Sequence, residues 1–487
     1  MRARAIFLAL LALIVPASSA EDAGVQTPPP PGEPHEIKLP EPVEKTLANG
    51  LRVIVVERPG LPILSAHLVV RSGGEVDPAG GAGAMEMLAA LLMRGAGERS
   101  ATQIAQAIEA LGGTIETGVG WDQTAAKLTV MARQAPAALE ILSDVVRRPT
   151  LGAAEVERLR AETLDELRVR MEEPRTLAKA AAARLIFGSG PYGHMLGGTP
   201  RSVAALRRSE LAELHASYFR PDNAVLVFAG SVTAEQGFAW AQEFFGDWKR
   251  SREPLPVKRS RREKAEPRVV IIDMPNAGQA AVVVGKVAVA RKAPDYLPGV
   301  VASAVLGGGY SARLNAEIRV KRGLTYGASS DLGARRLGGA FIAVAQTKNS
   351  AGPEVATLMR AELDRLGAEP VPADELTPRT NTLTGEYGRS LETNDGFATR
   401  LAGWAVLDVP LGMLNTYPAE VRADTPDAVQ KFAREHLRSA ETCVVIAGNA
   451  ESFRAALGGA FKGATIIPQK VLDLDSPGLR GAVKRGR

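Results

Sequence analysis

A repeat constrains the fold of this chain more than any other feature. HASYFRPDNAVLVFAG (His215–Gly230) lies over AREHLRSAETCVVIAG (Ala433–Gly448) at an offset of 218 residues. Phe219 falls on Leu437, Arg220 on Arg438, Val227 on Val445, and Ala229-Gly230 on Ala447-Gly448. Near the front of each copy, AALLMRGAG (Ala89–Gly97) is matched by ASAVLGGGY (Ala302–Tyr310). A duplication of this size implies two related domains of about 200 residues each. Each copy ends on an apolar run closed by glycine, which reads as a buried strand, and helical stretches precede it. The expected fold class is therefore α/β (α+β layered): two homologous domains, each a mixed sheet packed against helices, joined by a linker.

The first copy is locally legible. LRVIVVER (Leu51–Arg58) and ILSAHLVVRSG (Ile63–Gly73) are β-rich runs separated by a Pro-Gly break. Gly83–Gly97 reads as an Ala/Leu-rich helix, with Met85, Leu88 and Leu92 at helical spacing and Gly95 where a helix ends. Ser100–Leu111 has a capping serine and a Gly112-Gly113 stop. Thr114–Gly118 and Ala125–Met131 read as strands; Ala135–Arg147, Ala153–Glu173 (ended by Pro174), Thr176–Phe187 and Arg207–Tyr218 read as helices.

With 45% hydrophobic residues, the 487-residue chain can bury large cores. Residues 1–20 have the layout of a secretory signal: Arg2 and Arg4, an apolar stretch from Ala5 to Val15, then small residues at Ser18–Ala20. Cleavage near Ala20 predicts a periplasmic or secreted protein without a membrane span. The remaining segments read as a Pro-rich leader (21–42), an N-terminal domain (43–248), a basic linker (249–267), a C-terminal domain (268–465) and a tail (466–487) that is disordered from Leu472 onward. The net charge of +5 falls to +3 once Arg2 and Arg4 are removed, which gives no reason to expect nucleic acid. The single cysteine, Cys443, excludes an intrachain disulfide and a cysteine metal cluster, and its apolar neighbours make it a small buried hydrophobe.

The frame Gly83-Ala84-Met85-Glu86-Met87-Leu88-Ala89-Ala90, approached by RSGGEVDPAGGAG, resembles that of the pitrilysin/insulinase family of zinc peptidases (inverzincins). In active members an H-x-x-E-H helix places two histidines four apart on one face to bind zinc, with the glutamate as general base. Here the ligand positions hold Glu86 and Ala90, and the base position holds Ala89. Glu166 in ETLDEL is the match for the family's further ligand, with Glu162 as the other choice. None of the five histidines (His35, His67, His194, His215, His436) lies three or four residues from another. The expectation is that this chain holds no zinc and no catalytic residue. His194, in YGHMLGGTP, is expected to be a structural loop residue.

The resemblance is strongest in LGGGYSARLNAEIRVKRGLTYGASS (Leu306–Ser330) and continues in Ser390–Val421. The glycine triplet lacks a phosphate-loop ending and is expected to make a tight turn entering a helix. The family's substrate-binding pair, an arginine and a tyrosine seven residues apart, is matched by Arg319 and Tyr326; Arg313, Lys321 and Arg322 are alternatives for the cation. Both side chains can donate hydrogen bonds to a peptide carbonyl. The resemblance thus implies one half of a clam-shell peptidase: a non-catalytic, substrate-binding subunit of a heterodimeric zinc peptidase. Its partner would be a related subunit with an intact H-x-x-E-H and the zinc, and its substrate a peptide or unfolded protein held along a sheet edge. A non-enzymatic peptide-binding or assembly protein on the same fold is the alternative.

Overall fold

The computed structural model describes residues 38–256, 268–458 and 461–481, and from Leu39 onward they belong to one compact unit. The expected signal (1–20), most of the leader, residues 257–267 of the linker and 482–487 of the tail lie outside the described residues. No helix among the described residues is long and apolar enough to cross a membrane.

The repeat folds into two six-stranded mixed sheets that match in five strands and differ in the sixth, which is N-terminal and antiparallel in the first sheet and C-terminal and parallel in the second. The first sheet contains β1 (Val43–Thr46), β2 (Arg52–Glu57), β3 (Ile63–Val70), β4 (Thr114–Val119), β5 (Thr124–Met131) and β6 (Ala224–Gly230), in the order β1-β2-β6-β3-β5-β4. The second contains β7 (Val269–Asp273), β8 (Ala280–Val287), β9 (Thr325–Leu332), β10 (Ala340–Thr347), β11 (Cys443–Gly448) and β12 (Thr465–Pro468), in the order β12-β7-β11-β8-β10-β9. The parallel pair β2/β6 corresponds to β7/β11, and β3, β5 and β4 correspond to β8, β10 and β9. The repeated glycine closes both central strands for a steric reason. A Cβ on Gly230 would strike the Ile63 carbonyl, and one on Gly448 would lie 2.6 Å from Asn349 Oδ1.

Helices cover one face of each sheet and bury its main core. The opposite faces are covered by an exchange. The helix Pro174–Phe187, from the first half, packs Leu177, Ala181 and Leu185 against β8 and β11 of the second sheet. The helix Asn394–Val406, from the second half, packs Phe397, Leu401 and Trp404 against β3 and β6 of the first sheet. Polar contacts pin its start: His67 Nε2 lies 2.8 Å from Asp395 Oδ1, Asn394 Nδ2 donates to the Ile63 carbonyl, and Arg58 donates to Asn394 Oδ1. Pro174 opens the exchanged helix at its first turn, where a proline costs no hydrogen bond.

The segment read as a tail is built into the fold as far as Gly481. Strand β12 completes the second sheet, Arg201 pairs with Asp473 and Asp475 at 2.7 and 3.0 Å, and Arg184 donates to the Leu474 carbonyl. These partners are some 270–290 residues away in sequence, so no local pattern signals the order.

The 333–338 connection between β9 and β10 plugs into the first half. Arg335 inserts its guanidinium among the rings of Trp121, Phe187 and Tyr192, with Cζ 4.8–4.9 Å from each centroid. Arg336 donates its backbone N–H to Asp122 Oδ2 and its side chain to the carbonyls of Arg71 and Asp122. The Tyr192 hydroxyl donates to Asp122 Oδ1 at 2.6 Å and accepts from the N–H of Leu337.

Candidate substrate-binding site

The helix α1 (Ala84–Leu91) carries the degenerate motif. Asp77 caps it, accepting from the N–H groups of Gly83 at 2.7 Å and Met85 at 2.8 Å. His194 Nε2 lies 3.2 Å from Asp77 Oδ2, and its ring meets Trp121 edge-on, which places this histidine in the support of the turn. Ala89 is buried, and its carbonyl accepts from the Thr117 hydroxyl, tying α1 to the edge strand β4. Glu86 and Ala90 are four apart on this helix, and Glu86 remains exposed. Glu166, on α2 (Ala153–Arg170), lies near enough to Glu86 for their charges to repel. Desolvation holds the Glu86 carboxyl above its ordinary range, with Asp77 and Glu166 adding to the shift and Arg170 opposing it. Glu162 is occupied by Arg94 and Arg158 at 3.1 and 2.9 Å. The motif positions therefore converge on two mutually repelling carboxylates and a methyl group, a donor set without the nitrogen ligands that zinc prefers. No group of three or more His, Cys, Asp or Glu able to hold a metal occurs among the described residues.

The second half presents a different surface at the corresponding place. The glycine triplet ends α3 (Tyr296–Gly307) before the chain turns into the next helical segment. Gly307 also permits close packing, since a Cβ there would collide with the backbone of Ser329 and Ser330 on β9. Asn315–Val320 form a π-helix, a rare winding that recurs at functional sites. Arg319 lies near its end, with its Cζ 4.7 Å above the ring of Tyr310. Asn315 clasps the neighbouring segments together: its Nδ2 donates to the carbonyls of Gly309 and Ala328, and its Oδ1 accepts from the N–H of Ala328, each at 2.9 Å.

Tyr326 occupies a break in the ladder of β9, the edge strand. Thr325 pairs with Thr347 but Ala328 pairs with Ala345, so the edge strand has one extra residue. The Thr325 hydroxyl holds this bulge by accepting from the N–H of Gly327 at 3.0 Å and donating to the Gln346 carbonyl at 2.6 Å. A bulge re-aims its side chains, and Tyr326 is 86% exposed.

Among the four candidate cations, Arg313 is buried in a bidentate pair with Glu375 at 2.8 and 2.7 Å, and Lys321 and Arg322 both pair with Glu317. The side chain of Arg319 has no hydrogen bond or ion pair among the described residues; it has only the face of Tyr310. Stacking leaves the in-plane N–H groups of a guanidinium open to an acceptor. The parts played by Asn315 and Tyr310 were not anticipated from sequence, although an asparagine amid ARLNAEI is a weak signal of a buried polar tie.

Residues 52–199 match the sequence family described as "Insulinase (Peptidase family M16)", and residues 205–379 match "Peptidase M16 inactive domain". An uncharacterized zinc protease of Mycobacterium tuberculosis is 31% identical over 293 residues, covering 60% of this chain and 67% of that protein. The chain belongs to the insulinase (M16) peptidase family. It is also similar to the probable mitochondrial-processing peptidase subunit beta of Schizosaccharomyces pombe, 27% identical over 278 residues, or 55% of this chain and 59% of that protein. A solved M16 inactive domain from Pseudomonas fluorescens shares the fold with a TM-score of 0.79 at 23% identity, covering 84% of this chain and 98% of that one. Within the M16 family match, α1 and Glu166 fall in the insulinase region, and Arg319 and Tyr326 fall in the region matching the inactive domain.

Proposed function

We propose that this M16 protein is the non-catalytic, substrate-binding subunit of a two-chain zinc peptidase that works in the periplasm or outside the cell. One observation carries the reading. At the positions where the family's active members hold their metal ligands this chain has Glu86 and Ala90, while Arg319 offers an unpaired guanidinium close in the chain to the exposed Tyr326. A related subunit with an intact H-x-x-E-H supplies the zinc and carries out hydrolysis. This chain steadies the substrate by donating hydrogen bonds from Arg319 and Tyr326 to a peptide carbonyl. Both sheets end in an exposed edge, β4 beside α1 and β9 at Tyr326, against which an extended peptide can add main-chain hydrogen bonds.

The test is peptide hydrolysis by this chain, by a related chain carrying H-x-x-E-H, and by the two mixed. Activity is expected only where the second chain is present, and enhanced in the mixture. The double variant Arg319→Ala with Tyr326→Phe should lower kcat/KM of the mixture on the order of 10–100-fold, the scale of losing donors to a polarised carbonyl. Chelator-sensitive hydrolysis by this chain alone would overturn the proposal. Peptide binding that no M16 partner converts into hydrolysis would favour the non-enzymatic alternative. The location is checked by N-terminal sequencing of the exported protein, which is expected to begin at Glu21.

A further inference from the structure

Resting on the substrate-binding reading, we propose that Tyr310 is a positioning residue for Arg319 and makes the site prefer a carbonyl flanked by a bulky apolar side chain. An arginine with no ion pair at a surface samples many rotamers, and ordering it upon binding costs affinity. Here the guanidinium has one partner among the described residues, the face of Tyr310 with Cζ 4.7 Å from its centroid, and that contact restrains it while leaving its N–H groups free. The backbone leading into Tyr310 is tied down. Tyr310 follows Gly309, whose carbonyl is held by Asn315, and the same asparagine fixes Ala328 on the strand that carries Tyr326. Three segments are thereby locked by one buried side chain.

Tyr310, Val320 and Tyr326 are 64%, 59% and 86% exposed, and they are three of the seven exposed large hydrophobic residues among the described residues. Val320 adjoins Arg319 in the chain, Tyr310 stacks on it, and β9, with Tyr326, packs against the π-helix. Exposed apolar side chains on the segments that carry an unpaired donor match an occupant that brings an acceptor and apolar side chains together. An extended peptide with an aromatic or large aliphatic residue next to the engaged carbonyl has that chemistry. The nearby cations Lys321 and Arg322 share the one carboxylate of Glu317, which leaves a net positive charge there, and the aspartate peptide below weighs that charge against the apolar surface.

The experiment measures binding to the full chain by fluorescence anisotropy. The probes are a labelled unstructured peptide with a central phenylalanine and the same peptide with aspartate at that place. Variants are Tyr310→Phe, Tyr310→Ala and Arg319→Ala, with the Nε–H signal of Arg319 followed by NMR. The wild type should prefer the phenylalanine peptide. Tyr310→Phe should bind as the wild type does, because the ring face is kept. Tyr310→Ala should weaken the phenylalanine peptide about two- to fivefold, the range of a surface cation–π contact, erase the preference, and broaden the Arg319 signal into that of a mobile side chain. If Arg319→Ala weakens binding but Tyr310→Ala changes neither preference nor the Arg319 signal, the inference is overturned and the substrate-binding reading stands. If Arg319→Ala binds as the wild type does, or the wild type binds neither peptide, both fall.

Discussion

Ala89 and Ala90 are neighbours in sequence but not equivalent in structure. Ala90 shares a helix face with Glu86, whose charge is repelled by Glu166, whereas Ala89 is buried where α1 meets β4. Restoring the two ligand positions alone, as Glu86→His with Ala90→His, adds two imidazoles four apart and keeps the Glu166 carboxylate, a donor set that suits zinc. Titration calorimetry should detect zinc binding by that variant and none by the wild type; no uptake by the variant would show that Glu166 does not reach the site. Adding Ala89→Glu forces a carboxylate into packed surroundings and should lower the Tm, since overpacking costs about 1–3 kcal/mol. A second residue makes a prediction in pH. Burial, with Asp122 adding, pushes Glu75 from 4.5 up to about 8, against a hydrogen bond from the Gly73 N–H and the charge of Arg336. Between those values the folded chain holds a proton that the unfolded chain has released, so stability falls as pH rises through 4.5 to 8 and then levels off. Glu75→Gln keeps the acceptor for Gly73 and removes the charge. Denaturant melts should find variant and wild type alike at about pH 5, and the variant more stable by about 2–4 kcal/mol at about pH 8.5.

At the scale of elements, the exchanged helix Asn394–Val406 depends on its apolar face. Phe397 is buried against the first sheet beneath the guanidinium of Arg58, whose Cζ is 4.4 Å from the ring. Phe397→Ala should cost about 3–5 kcal/mol, read as a lower denaturation midpoint, with hydrogen exchange rising first in this helix and in β3. An effect confined to the second sheet would contradict the exchange. Sequence reasoning did not find this partner, for a physical reason. Apolar spacing shows that Phe397, Leu401 and Trp404 are buried, and it carries no information about which sheet covers them. The strands and the repeat were legible because alternation, apolar runs and glycine stops are local signals. The Ser100 cap and its stop were legible on the same ground, and Ser100 forms a capping box with Gln103. The Arg319–Tyr326 pair was legible as spacing only. The π-helix, the bulge at Thr325–Ala328 and the Asn315 clasp around these two residues depend on contacts between segments, and the order of Leu472–Gly481 depends on Arg184 and Arg201.

For the molecule as a whole, the question is what fixes one half against the other. The exchanged helices contribute buried apolar area, and the Arg335 cage supplies a specific joint. Phe187, one wall of the cage, is also the last residue of an exchanged helix, so the joint couples the 333–338 loop to that exchange. Two effects compete in the cage. Burial disfavours the guanidinium charge and lowers Arg335 to about 10, with Tyr192 and Asp122 favouring the charge. The three ring faces return attraction that is stronger for being desolvated, on the order of 2 kcal/mol for such a contact. If these nearly cancel, the main contribution of Arg335 is to fill the cage. Arg335→Ala, which leaves a hole between the rings, should then destabilise by about 2–4 kcal/mol. Arg335→Met, which keeps an unbranched chain of similar length, should cost about 1 kcal/mol or less, consistent with the tolerance of buried charges to apolar replacement. Thermal melts of the two variants decide the matter. Methionine as damaging as alanine would mean that the charge, and with it the cation–π attraction, holds the joint. In either case the Arg319 surface lies in the second half with its own Asn315 tie, so peptide affinity should be unchanged in Arg335→Met.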